Sequence, residues 1–275
     1  MKKRNRNQTT ISVPHSLYLK REKRRKAAVR ACQFGLLFLA LGLWEAAAQL
    51  KIIDSFMFSS PSRIAAEIAG LAKRGTLFTH IFTTLYECAI GFAAATAAGV
   101  LIAVLLWWSE NVRRVLDPYI VVLNSLPKIA LGPMIIIWFG AGVKAIIFMA
   151  VLISVIVAVL SILNGFLSCD PDKILLLRSM GGNKFQILFK LVLPHSLPDI
   201  ISALKINVGL AWVGTIMGEY LVSRSGLGYL IVYGGTVFKI DLVMAATVIL
   251  CVLAGFMYFG VAAVERRVAK HRGGV

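Results

Sequence analysis

An all-α membrane protein with six transmembrane helices is the fold class this sequence predicts, and three observations predict it. Of its 275 residues 58% are hydrophobic and the mean hydropathy is +0.79, more apolar surface than a soluble monomer can bury. Three runs, 88–108, 145–163 and 242–264, carry no charge, and each approaches the roughly 20 residues that cross a bilayer. The 30 Lys and Arg against 13 Asp and Glu, a formal charge of +17, are sorted by side of the membrane rather than spread evenly.

Taken in order, residues 1–30 hold eleven basic residues against the single acid Glu22 and read as a mobile basic tail. Residues 31–50 form the first span, with Glu45 near its far end. Ala46, Ala47 and Ala48 imitate a signal-peptide cleavage site, but the apolar stretch outruns a signal-peptide core and follows an unusually long basic lead, so the span reads as uncleaved. Ile64, Ile68 and Leu71 lie at helical spacing and predict a short external helix over 61–73. The second span is 88–108. The third, 119–140, is interrupted by Asn124, Pro127, Lys128, Gly132 and Pro133. Residues 145–163 are the fourth, 200–218 the fifth, carrying Lys205 and Asn207, and 242–264 the sixth, so that 31–265 form one membrane domain before a short tail, 266–275. With this count, 21 of the 30 basic residues fall on the side of the N-terminal tail, seven fall opposite, and Lys128 and Lys205 lie within spans. Both termini are therefore expected in the cytoplasm, and the charge excess labels topology rather than a nucleic-acid surface.

The loop over 168–196, between the fourth and fifth spans, is too elaborate for a connector. Asp170 before Pro171 is a helix start, an N-cap followed by a residue whose missing N–H costs nothing there. Gly181 and Gly182 suit a helix stop. Asn183 with Gln186 three residues on forms a capping box for a second helix, whose Phe185, Leu188, Phe189 and Val192 share one face and which Pro194 ends. An amphipathic pair lying on lipid headgroups and a docking element for a soluble partner both fit this pattern.

The same residues carry a family resemblance. Leu175-Leu-Leu-Arg-Ser-Met-Gly181, nine residues, then Leu191-Val-Leu-Pro194 resembles the EAA loop of ABC importer permeases, with Leu175 where that family commonly has Glu. The segments from Leu126 to Pro133 and on to Gly140, and from Gly218 through Glu219 to Ser225-Gly-Leu-Gly-Tyr-Leu230, are similar to the nitrate/sulfonate/taurine branch of these permeases. Pro61-Ser62 and Gly91-Phe92 fit the same branch, although Glu87 stands where a basic residue is expected. The resemblance runs from about residue 31 to the C-terminus. It implies the type I importer fold, a bacterial inner-membrane location, two permease copies, two ABC ATPase subunits, an extracytoplasmic substrate-binding protein, and a small anion such as a sulfonate as substrate.

The chain has no GxxxxGK[ST] and no Gly-Lys dipeptide, so ATP and Mg are expected on the partner ATPase and no cofactor on this chain. The four histidines are scattered, no nucleophile motif occurs, and Cys32, Cys88, Cys169 and Cys251 show no metal or disulfide spacing and are expected to be buried apolar residues. The chain is thus expected not to be an enzyme. In the resembling assembly, Met180, Gly181, Gly182, Phe185, Phe189 and Pro194 are the coupling residues. A charge inside a span usually faces protein or water, which marks Lys128, Lys205 and Asn207 as pathway positions, with Glu219 at the outer end of the fifth span as a gate or anchor. The competing function is a secondary transporter or channel, which would need several acids within its spans.

Overall fold

Backbone N–H and C=O groups in a bilayer must be satisfied within their own segment, and the described part of the chain answers with helices alone. The computed structural model describes residues 13–272. Five helices are long and apolar enough to cross a membrane, or six if one sharply bent pair counts as a span.

Among the described residues, 13–63 form one unit. Helix α1 covers Val13–Gln49, so residues 13–30, expected as a mobile tail, are helical instead, and 1–12 lie outside the described residues. The stretch has no helix breaker between Pro14 and Gly35, is rich in Lys, Arg and Ala, and pairs Lys26 with Glu22 one turn back at 2.6 Å. A short helix, α2 (Ser55–Phe58), is capped by the Asp54 side chain. Glu45 closes this unit: its carboxylate accepts from Ser62 N at 3.0 Å and from Ser62 Oγ at 2.8 Å, satisfying an orphan donor at the start of helix α3 (Pro61–Lys73). Helix α3 occupies the predicted external segment.

Residues 64–272 form the second unit. Helix α4 (Thr76–Trp108) begins twelve residues before the charge-free run at Cys88, so Glu87 lies inside it. The expected third span is a pair, α5 (Glu110–Ser125) and, after a 3-10 turn over Lys128–Leu131, α6 (Gly132–Phe139), bent by 84° where Pro127 and Pro133 interrupt the ladder. Helix α7 (Val143–Leu167) follows, then α8 (Pro171–Ser179), α9 (Lys184–Ile187), α10 (Leu193–Val222), α11 (Leu227–Thr236) and α12 (Ile240–Arg272). The last helix therefore absorbs residues 266–272 of the expected C-terminal tail.

Small residues let α4, α7 and α10 approach closely, as apolar packing in lipid requires. Gly91, Ala95, Gly99 and Ala103 repeat every fourth residue on the buried face of α4. A Cβ on Gly99 would meet Ala158 Cβ at 2.7 Å, and one on Gly214 of α10 would meet Ala150 Cα at 2.5 Å. Cys88 and Cys169 are buried, whereas Cys32 and Cys251 are exposed, against the expectation that all four would be interior.

Candidate functional site

The loop between α7 and α10 is rigid by local chemistry. Asp170 accepts from Asp172 N at 2.9 Å, and α8 ends in a Schellman-type turn, with Gly182 N donating to Leu177 O at 2.9 Å and Gly181 at φ +83°. Both bonds of the capping box are present: Gln186 N donates to Asn183 Oδ1 at 2.8 Å, and Asn183 N donates to Gln186 Oε1 at 3.0 Å. Lys184 Nζ reaches the last carbonyl of α4, Trp108 O, at 2.8 Å, and the Phe185 ring meets Trp108 edge-on at 4.7 Å. The loop is thereby bolted to the end of α4.

Two details differ from the expectation. Pro194 does not end the helix: a π-turn over Leu188–Val192, closed by Leu193 N donating to Leu188 O, carries α9 straight into α10. The wider i to i+5 turn makes room for a residue that has no N–H and whose ring crowds the preceding turn. The buried face also differs from the expected one. Ile187, Leu188 and Val192 are buried with Leu106, Ile162 and Phe166, while Phe185 and Phe189 point outward. Met180 at 76% exposure, with exposed Leu175 and Leu176, completes an apolar surface on the loop.

The polar positions within the long helices are not brought to one place. Lys128 is half-buried at the α5–α6 bend and donates to Asn124 O at 3.1 Å. Lys205 of α10 pairs with Glu265 of α12, which neutralises it. Asn207 is buried and its amide lies 3.4 Å from Thr96 Oγ1. Removing one partner of the Lys205–Glu265 pair leaves an uncompensated charge, so Glu265→Gln is expected to melt below the Lys205→Met/Glu265→Gln double variant. Thermal unfolding in detergent should show a coupling of about 0.5–3 kcal/mol.

Glu219 is 1% exposed and sits beneath the start of α11, where its Oε2 accepts from Gly228 N at 2.5 Å. The neighbouring amides are also received by side chains of α4: Gly226 N donates to His80 Nδ1 at 3.0 Å and Leu227 N to Thr84 Oγ1 at 2.8 Å. Glu87, also 1% exposed, contacts Glu219 from α4. Sequence reasoning missed His80, Thr84 and Glu87, because a charge-free window stops at the acid; the Glu87 departure from the family pattern was the one available signal.

A further polar surface lies between α7 and α10. Asn164, Ser168, Asp199 and Ser202 line a groove of about 290 Å³, and Ser196 Oγ ties the helices together by donating to Gly165 O at 2.6 Å.

Long apolar helices packed through small residues, with one capped loop anchored to their ends, define a multi-pass membrane protein. The chain belongs to the family described as binding-protein-dependent transport system inner membrane component, which matches residues 95–270. It is a permease of the ABC importer class, of nitrate/sulfonate/taurine type. The taurine transport system permease protein TauC of Escherichia coli K12 is 26% identical over 97% of this chain and 99% of its own length. The formylaminopyrimidine transport permease protein ThiX of Halalkalibacterium halodurans is 32% identical over 74% of this chain and 81% of its own. Among solved structures, the inward-facing MetNI methionine ABC transporter superposes with a TM-score of 0.64 at 21% identity, covering 72% of this chain and 98% of that one. A bacterial alginate ABC transporter gives 0.61 at 15% identity over 89% and 98%. These two likenesses establish the type I importer permease fold.

Proposed function

We propose that two copies of this chain form the substrate pathway across a bacterial inner membrane, with both termini in the cytoplasm, and that the loop over 168–196 docks into a separate ABC ATPase that binds ATP and Mg. An extracytoplasmic binding protein delivers the substrate. The observation that carries this reading is the loop itself, braced at both helix ends yet presenting Met180, Phe185 and Phe189 outward. A mobile loop would dissipate a push from a partner, whereas this one transmits it to α4 and α10, and a partner that binds one arrangement better shifts the equilibrium between them.

A small organic anion of the sulfonate type is the proposed substrate, supported by relatives named for taurine and for aliphatic sulfonates. Of the polar positions expected along the pathway, Lys128 keeps that role here, being without a carboxylate partner among the described residues. Lys205, Asn207 and Glu219 serve helix contacts in this conformation. Reconstitution of the chain into vesicles with its ATPase and binding protein tests the reading. Uptake of a sulfonate is expected to require ATP, to stop with vanadate, and to persist when the proton gradient is collapsed at constant ATP. Uptake that follows the gradient and ignores the ATPase would establish secondary transport instead.

A further inference from the structure

Glu87 and Glu219 face each other from α4 and α10, each with 1% exposure, and their side chains lie within hydrogen-bonding reach. Neither has an ion-pair partner among the described residues. One oxygen of each, Oε2 of Glu87 and Oε1 of Glu219, has no donor from the protein, while the other oxygen of Glu219 is taken by Gly228 N. Two carboxylates are both pure acceptors, so in contact they can bond only through a proton. Thr215, fully buried one turn before Glu219 on α10, meets the Cys88 thiol rather than either carboxyl.

The donors that surround the pair serve one carboxylate only: Glu219 meets the Thr84 hydroxyl and the amides of Gly228 and Tyr229, and Glu87 has no such donors. From α4 the titratable neighbours are His80, whose Nδ1 is spent as an acceptor for Gly226 N, and Cys88. From α10 the neighbour is Tyr220, and from α11 Tyr229, which stacks on His80 with centroids 6.1 Å apart. No Lys or Arg contacts the pair among the described residues. The backbone of α11 is pressed against Glu219, since a Cβ on Gly226 or Gly228 would fall 2.5 Å and 2.7 Å from its carboxyl atoms.

We propose that Glu87 and Glu219 hold one proton between them, and that this proton locks α4, α10 and the N-terminus of α11 into a single junction. With the proton in place, Glu87 and Glu219 attract, and Glu219 stays seated under the amides of α11. When the proton leaves to solvent, two like charges face each other in an apolar site, α4 and α10 repel, and the amides of residues 226–228 lose their seat. The junction is thus a protonation-sensitive clasp at the end of α10 opposite the loop.

Infrared spectroscopy of the purified permease in lipid nanodiscs tests this directly. At neutral pH the wild-type protein is expected to show the C=O stretch of a buried protonated carboxylic acid, shifted in Glu87→Gln and in Glu219→Gln because the carboxyl partner is gone, and abolished in the Glu87→Gln/Glu219→Gln double variant. Absence of the band from wild type, an unshifted band in both single variants, or its survival in the double variant overturns the proposal. A second measurement needs no variant to fold: base is added to wild type until the band disappears, and hydrogen exchange of the peptide holding residues 226–228 is followed. Protection lost together with the band supports the clasp. Protection unchanged after the band has gone refutes it.

Discussion

Gly214→Ala is expected to destabilise the permease by about 1–2 kcal/mol net, and Gly214→Leu to prevent assembly of α10 on α7. The added Cβ of alanine would lie 2.5 Å from Ala150 Cα and 3.1 Å from both Ala150 N and Met149 O, which are backbone atoms that cannot rotate away. Ala150 is itself fully buried and is approached from the other side by Gly91, so α7 has nowhere to retreat. Overpacking a tight core costs about 1–3 kcal/mol, from which alanine recovers up to about 1 kcal/mol of helix propensity. Gly209 on the same helix provides the control. Its Cβ would enter open space, and Gly209→Ala is expected to melt at or above wild type. Thermal unfolding in detergent decides the matter, and Gly214→Ala melting with wild type would remove close helix approach as the organising feature of this core.

Met180→Glu is expected to leave the melting temperature unchanged while weakening capture of the partner ATPase roughly tenfold or more, since an apolar socket would have to desolvate a carboxylate. Phe185 gives a different expectation. Its ring also packs on Trp108 at 4.7 Å, so Phe185→Ala should lower both stability and capture. Gly181→Val adds about 1–2 kcal/mol of strain at φ +83° and tilts α9, so uptake should fall even where the ATPase still binds. Capture and uptake both surviving Met180→Glu and Gly181→Val would end the assignment of this loop as the docking element.

Local chemistry explains which features were legible. Asp170 before Pro171, Gly181, and Asn183 with Gln186 act within four residues of themselves, and the structure builds each of them as the spacing predicts. Pro194 misled because proline breaks a helix only where the turn cannot widen, and the π-turn supplies that width from residues that look ordinary. Phe185 and Phe189 are exposed and Ile187 is buried, so the face that packs is not the one that the spacing predicts. Partners distant in sequence were invisible: Glu265 lies 60 positions from Lys205, and Glu219 more than 130 from Glu87. Glu87 was doubly hidden, because counting uncharged residues places a helix end wherever an acid appears, even one that is buried against another acid. The loss of that acid from the apparent span also made the chain look emptier of membrane acids than it is.

The π-turn has a mechanical consequence. From Lys184 to Val222 the chain is helical for 39 residues, and the wide turn, followed by Pro194 and Pro198, gathers its missing hydrogen bonds at one end. Such a rod is soft at its foot and stiff above it. The distance from Val192 to Glu219 corresponds to about 40 Å of helix, so each degree of tilt at the foot sweeps the Glu219 end sideways by about 0.7 Å. A few degrees suffice to slide one carboxyl past another, and the lever multiplies a small push beneath it into a displacement larger than a hydrogen bond can follow.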